Sequence, residues 1–321
     1  MIPGPRSATG GGISLTYPKA ALRPVDCGLC GSSERELNFE DGPFSVVACK
    51  RCGVTYVTPR LLDASLIESV YDESYWNSSS AKNHGYSDYR ADAPLYKRTF
   101  RDRLSIVRRH FSSNLRDDGA RRRVLDVGCA AGYFLSVMQE EGWDVAGLEP
   151  SDAIRVEAEK ELGKQHVRGG LLGVDDGLEE GAFDLVTFWD VIEHIPDPRE
   201  ALVRARGLLA PGGLLILETQ NVASRAAKVL GKKWQHYKHA EHIYHFNVST
   251  LTRLLDEAGF ASLENSPRHG GKYVSLSFIV ERVGRIHPIL SWLASPMRLL
   301  GDKALYINLF DEMIVVAKPK S

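Results

Sequence analysis

No run in this 321-residue chain approaches the roughly 18 uninterrupted apolar residues that a membrane-spanning helix needs, so no transmembrane segment is expected. A surplus of charge of either sign is also missing. Forty Lys and Arg face 41 Asp and Glu, and a net charge of -1 removes any global pull toward nucleic acid or anionic lipid, leaving only local patches. The opening MIPGPRSATGGGISLTYPKA lacks the apolar core of a signal peptide and reads as a flexible tail over residues 1–20, so the expected setting is cytoplasmic. Cysteine is scarce, with five residues, and in a reducing compartment spaced pairs of them point to metal ligation before disulfides. At 43% hydrophobic and 25% charged residues the composition is that of an ordinary globular chain, which excludes disordered and collagen-like classes. The length suits two domains, or one large domain with an appendage.

Four of the five cysteines fall in one window as Cys27-Gly-Leu-Cys30 and Cys49-Lys-Arg-Cys52, with 18 residues between the pairs. Two residues between sulfurs let one tight turn aim both thiolates at one tetrahedral ion, and Gly31 and Gly53 follow each pair where such a turn favours positive φ. Asp41-Gly42 followed by Phe44, Val46 and Ala48 predicts a hairpin joining the two knuckles. Residues 21–60 are therefore expected to be a zinc ribbon with Cys27, Cys30, Cys49 and Cys52 as structural ligands. All four are spent on the metal, which leaves no open position for catalysis.

Residues 61–121 read as a helical linker or cover. Ten Lys or Arg against three Asp lie between Lys97 and Arg123, but Leu95, Leu104, Val107 and Phe111 recur on one helical face, so the charges are expected on the solvated side. From residue 122 strands and helices alternate. Val124–Val127 is a buried strand, Gly128–Gly132 a turn, Tyr133–Glu141 a helix and Asp144–Leu148 a second strand ending at Glu149. Phe183–Phe188, Asp197-Pro198 opening a helix, and Pro211-Gly212-Gly213 before Leu214–Glu218 continue βαβ order, which implies an α/β fold with a doubly wound, mostly parallel sheet.

In such sheets ligands sit beyond the carboxyl ends of the strands. The Gly128 turn lets backbone approach a ligand, and an acid about 20 residues later, Glu149, suits two ribose hydroxyls. A dinucleotide fingerprint fails, because Ala130 and Tyr133 stand where its second and third glycines belong. Asp126 repels phosphate and suits an ammonium group.

The runs LDVGCAAGYFL, GWDVAGLEPS, FDLVTFWDVIEHIPDP and LLAPGGLLILETQN, in that order over residues 122–266 with a last strand at Glu312–Lys318, resemble the class I S-adenosylmethionine-dependent methyltransferases. With its CxxC pairs and YVTPRLLDASLIESVYDESYW, the chain resembles a bacterial subgroup methylating sugars, glycans and secondary metabolites. The resemblance implies a seven-stranded Rossmann-like domain over 122–321 with S-adenosylmethionine as cofactor. Asp126, Gly128, Ala130 and Gly132 would line its methionine end, Glu149 its ribose, Leu171 in Gly170-Leu171-Leu172 its adenine, and Asp190 the methionyl group or reaction centre. The acid expected beside adenine is not obvious among Asp175 and Asp176.

Methyl transfer from a sulfonium needs alignment first, and a base only where the acceptor must lose a proton. Two clusters offer one: Glu193-His194, and the run His236 to His245. His242 with Glu241 is the first candidate and His194 the second, a neutral imidazole oriented by a neighbouring carboxylate. His236, His239 and His245 read as structural or surface residues, and Cys129 as a small buried hydrophobe. Residues 270–311, with Ile279, Val283, Ile289, Leu290, Trp292, Leu293, Met297 and Leu300, read as a helical insertion covering the sheet's carboxyl edge, with peripheral membrane contact left open. The leading expectation is a methyltransferase with a small-molecule acceptor. An RNA base methyltransferase is the rival enzyme, disfavoured by the neutral balance, and a noncatalytic zinc-binding interaction module is the rival from another class.

Overall fold

The computed structural model describes residues 22–61, 70–77, 88–174, 176–286, 288–296 and 303–320. The expected tail over 1–20, part of the 61–121 segment, Asp175, Met297 and Leu300 lie outside the described residues.

The N-terminal module is a hairpin of β1 (Arg35–Asp41) and β2 (Phe44–Cys49) extended by β3 (Thr55–Thr58). Asp41 pairs with Phe44 across the predicted turn, where Gly42 has φ +59°. A long helix, α1 (Ala93–His110), follows. Leu104, Val107 and Phe111 are buried as their spacing predicts. Arg103 departs from the expected solvated face. It is buried where Glu218, on the sheet, accepts from both of its terminal guanidinium nitrogens.

The larger domain runs β4 (Arg123–Val127), α2 (Tyr133–Glu140), β5 (Asp144–Leu148), α3 (Asp152–Leu162), β6 (Val167–Arg168), β7 (Phe183–Trp189), α4 (Pro198–Leu208) and β8 (Leu209–Gln220). It continues through β9 (Tyr244–His245), α5 (Val248–Glu257), β10 (Phe260–Ser266), β11 (Lys272–Ser275), α6 (Leu276–Ile286), α7 (Pro288–Ala294), β12 (Ala304–Ile307) and β13 (Glu312–Pro319). Seven strands form one sheet in the order β10-β13-β8-β7-β4-β5-β6. The ladders from β8 to β6 are parallel, and β13 is antiparallel to both of its neighbours. The central strands are apolar on both faces because helices cover both. Leu125, Val186, Leu215, Ile216 and Leu217 are fully buried. Side-chain caps set two helix starts: Asp197 accepts from Glu200 N–H, and Asn247 and Thr250 form a reciprocal capping box before α5.

β9 belongs to neither half alone. It pairs antiparallel with β3, Tyr244 opposite Tyr56 and His245 opposite Thr55, and so completes a four-stranded sheet on the cysteine module. Val57 N–H donates to Ile243 O (3.0 Å) and the Tyr244 hydroxyl donates to Pro196 O (2.9 Å), fixing that module to the loop carrying His242. The 270–311 insertion is not wholly helical. β11 and β12 form an antiparallel ladder from which α6 and α7 project, the alternation Lys272-Tyr273-Val274-Ser275 having been read as part of the helical stretch.

Candidate active site

A cavity of about 740 Å³ opens at the carboxyl ends of β4, β5, β7 and β8. Asp126, Gly128, Ala130, Glu149, Leu171, Asp190, His194 and His242 line it, whereas Gly132 and Glu241 do not.

At one end, the turn after β4 holds Gly128, Ala130 and Gly132 at φ +69°, +47° and +76°. Gly128 and Cys129 N–H groups both donate to Leu148 O (2.7 and 3.1 Å), locking the turn to β5. A Cβ on Gly128 would stand 2.7 Å from a Val191 methyl, and one on Gly132 would stand 2.8 Å from Leu162 Cδ1. The two glycines thus meet both a left-handed backbone and close packing. Gly128 and Ala130 line the cavity, whereas Gly132 sits behind the wall against α3.

Glu149 ends β5 with its carboxylate held by two backbone donors, Ala130 N–H (2.9 Å) and Ser151 N–H (2.8 Å). Burial pushes its carboxyl up to about 7, against those two donors and Arg155. Asp126 accepts from the Thr187 hydroxyl (2.6 Å). Burial, with the nearby Glu149 charge, pushes it up to about 8. Leu171 lines the same end, half open to solvent. Asp176 does not serve it: its carboxylate is taken by Arg204 and by the N–H groups of Gly173 and Leu178. Cys129 is buried at 5% exposure, as a small hydrophobe would be.

At the other end, Asp190 follows β7 at φ +55°. It does not cap the short helix after it. Its Oδ2 accepts from Lys272 Nζ (2.6 Å), which also donates to Glu312 Oε1 (3.0 Å). Burial works to raise the Asp190 carboxyl, but the Lys272 charge and hydrogen bond outweigh it and hold it below the usual range. Lys272 thereby pairs with Asp190 and Glu312, and Arg103 with Glu218, two cations among three carboxyl groups. Neither cation was found from the sequence. Each lies far along the chain from its partner, and the signal available was only a Lys entering a strand and an Arg out of phase on a basic helix.

The imidazoles gather beside Asp190. His194 Nδ1 lies 2.9 Å from Glu241 O and 2.7 Å from the Tyr71 hydroxyl. The His242 ring meets that of His194 edge-on at 4.7 Å. Both line the cavity. Burial brings His194 down to about 4 and holds His242 well below its usual range, so both are neutral near pH 7. The carboxylate of Glu241, expected to orient His242, is turned elsewhere: its Oε2 takes the Tyr75 hydroxyl (3.2 Å) and Lys238 Nζ (3.3 Å). Glu241 reaches the cluster through its backbone carbonyl instead. His239 and His245 are buried, His239 against Asp41 of the N-terminal hairpin (3.2 Å), and His236 lies 3.5 Å from Asp311 Oδ2.

The four N-terminal cysteine sulfurs lie within 4.8 Å of one another. The pairs Cys27–Cys52 and Cys30–Cys49 stand 3.4 and 3.5 Å apart, too far for a disulfide and near the ~3.8 Å edge of a tetrahedral Zn–S₄ site. Gly31 and Gly53 adopt φ +70° and +78°, as the knuckle turn requires. The donor set fits a structural zinc ion.

A family model described as a methyltransferase domain matches residues 96–265. The chain is 34% identical over 134 residues to the ubiquinone biosynthesis O-methyltransferase of Caulobacter sp. (strain K31), a match covering 39% of this chain and 53% of that one. It is 35% identical over 149 residues to the tRNA U34 carboxymethyltransferase of Methylococcus capsulatus, covering 44% of this chain and 45% of that one. The chain thus spans about half the length of these curated relatives. A solved S-adenosylmethionine-dependent methyltransferase from Thermotoga maritima, titled a possible histamine N-methyltransferase, aligns over 72% of this chain and 94% of its own with TM-score 0.45 and 19% identity. With the family match running over more than half of its residues, the chain belongs to the class I S-adenosylmethionine-dependent methyltransferases.

Proposed function

We propose that this protein moves a methyl group from S-adenosylmethionine to a hydroxyl of a small-molecule acceptor, a sugar, glycan precursor or secondary metabolite. The observation that carries the reading is Glu149. Its carboxylate ends a parallel strand, is posed by two backbone N–H donors, and faces a cavity of about 740 Å³, within the range for nucleoside-sized ligands. Glu149 would hold the ribose hydroxyls, Asp126 and Gly128 the methionine end, Ala130 the edge between them, and Leu171 the adenine face, with Gly132 setting the turn from behind. Bound there, S-adenosylmethionine supplies an activated methyl group on a sulfonium.

The chain's own task is to align the acceptor and take up its proton. Tyr71 and Tyr75, beside His194 and Glu241, and Phe278 line the cavity and would wall the acceptor. His242 and His194, neutral and side by side on the wall, activate the acceptor hydroxyl. Glu241 holds both surroundings in place, through its carbonyl on His194 and its carboxylate on Tyr75 and Lys238. Asp190, steadied by Lys272, sits between the two compartments. The cysteine cluster would hold zinc with no open position, and its role is to brace β9 and the His242 loop.

The small-molecule reading is favoured over RNA by charge pairing. Lys97, Arg101, Arg108, Arg109 and Arg116 of the basic stretch each meet a carboxylate, so no free phosphate-binding stripe is left by them. Among the described residues no helix is long and apolar enough to cross a membrane, and a cytoplasmic setting is part of the proposal. The test is transfer of labelled methyl from S-adenosylmethionine to a panel of sugars, metabolites and tRNA. Wild type should label a small acceptor, and His242→Ala should slow that transfer with cofactor affinity unchanged. Labelling of tRNA alone, or a wild-type rate in His242→Ala, would overturn it.

A further inference from the structure

At the floor of the acceptor compartment three donor groups converge without closing on one another. One carboxylate oxygen of Glu193, one ring nitrogen of His194 and one of His242 lie within 4.8 Å of each other. Glu193 is fully buried. Its Oε2 accepts from the Thr219 hydroxyl (2.9 Å), which leaves Oε1 buried with no hydrogen-bond partner and 4.0 Å from His194 Nε2. A buried oxygen left unpaired is costly, and a group bound there would relieve that cost.

His194 is oriented to supply a lone pair at that point. Nδ1 lies between the Glu241 carbonyl (2.9 Å) and the Tyr71 hydroxyl (2.7 Å), and in the tautomer whose Nδ1–H donates to that carbonyl the Nε2 lone pair faces Glu193. An imidazole tied through its other nitrogen to a backbone carbonyl is the usual arrangement of a metal-bound histidine. The Nδ1 of His242 is likewise buried with no partner. The two chain segments are also fixed to each other. Ile243 N–H donates to the Glu193 carbonyl (3.1 Å), and within its own loop His242 N–H donates to Lys238 O (2.8 Å). The other acidic group on this wall, Asp190, Glu218 and Glu312, differs in that each of its members is already in an ion pair, with Lys272 or with Arg103.

We propose that Glu193, His194 and His242 bind one divalent transition cation, with open positions toward the cavity that His194 and His242 line. Two imidazoles and one carboxylate suit Zn²⁺, Mn²⁺, Fe²⁺ or Co²⁺ better than Mg²⁺ or Ca²⁺, which prefer all-oxygen sets. What the cation does there rests on the methyl-transfer reading; its binding does not. Held by these residues, the cation would act as a Lewis acid on the acceptor hydroxyl, which would lose its proton to water while both imidazoles are held by the metal. That oxygen then donates an electron pair to the methyl carbon, whose bond to sulfur breaks with its pair going to sulfur.

Protein with zinc already in its cysteine cluster is titrated with Co²⁺ alone, followed by calorimetry and by visible absorption lacking thiolate-to-cobalt bands. Wild type, Glu193→Gln, His242→Ala and His236→Ala are compared, circular dichroism checks folding, and S-adenosylmethionine binding is measured on the same samples. The expected result is one Co²⁺ per chain beyond the cluster, weakened about ten-fold or more in Glu193→Gln and His242→Ala and unchanged in His236→Ala. Equal Co²⁺ binding by wild type and the two ligand variants, or none by wild type, overturns the site. Co²⁺ binding without any S-adenosylmethionine binding would leave the site standing and remove the methyl-transfer reading.

Discussion

Glu149 titrates inside the range where proteins are assayed, and S-adenosylmethionine binding should follow it. Its carboxyl is pushed up to about 7 by burial, so the free protein carries a proton there at pH 6 that ribose hydroxyls must displace to reach a full carboxylate acceptor. About one molecule in eleven is ionised at pH 6 and about ten in eleven at pH 8, so affinity should rise about ten-fold between them, or ~1.4 kcal/mol. Asp126, pushed up to about 8, should extend the rise to higher pH if it meets the ammonium group. The assay is calorimetric titration from pH 6 to pH 9 in buffers of different ionisation enthalpy, which also counts protons released. Glu149→Gln should bind more weakly and lose the part of the slope centred near pH 7. A flat or falling affinity in wild type, or an unaltered slope in Glu149→Gln, would refute the assignment of Glu149 to the ribose.

The same carboxyl should mark the stability of the ligand-free protein. A buried acid raised from 4.5 to about 7 contributes stability that is full below pH 4.5 and lost as pH rises through 7, worth about 3 kcal/mol, so thermal midpoints should fall between pH 5 and 9 and fall less in Glu149→Gln. Arg103→Met strands the fully buried Glu218 carboxylate and should cost about 3–5 kcal/mol in chemical denaturation; a loss within error of zero would show the pair to be dispensable. Gly28→Ala places a methyl on the Tyr244 hydroxyl, so it should loosen the cysteine module from β9 and slow methyl transfer while cofactor affinity holds; an unchanged rate would mean the module does not brace the His242 loop.

What could be read in advance was local. Glu149 and Asp190 each follow an apolar strand run, and Asp126 stands one residue before the end of another, so strand periodicity places them near the sheet's carboxyl edge, where the structure has them. The cysteine pairs were equally readable, because two residues between sulfurs define a knuckle whatever the rest of the chain does. The contacts that set the charge of the site were not. Lys272 enters from a strand inside a stretch that looks helical, and Arg103 sits 115 residues before the Glu218 that buries it. Glu241 is adjacent to His242 in sequence, yet the loop's course sends its carboxylate to Tyr75 and Lys238. Glu193, whose neighbours suggested only a base pair of residues, becomes conspicuous through one unpartnered oxygen, and that is visible only when the packing around it is known.

The central claim is that the cavity beyond β4, β5 and β7 receives S-adenosylmethionine. Calorimetric binding of S-adenosylmethionine, with NAD as the control, to folded protein of known metal content tests it most directly. The account predicts saturable one-to-one binding of S-adenosylmethionine and none of NAD. No binding of S-adenosylmethionine by folded protein, or equal binding of NAD, would contradict it.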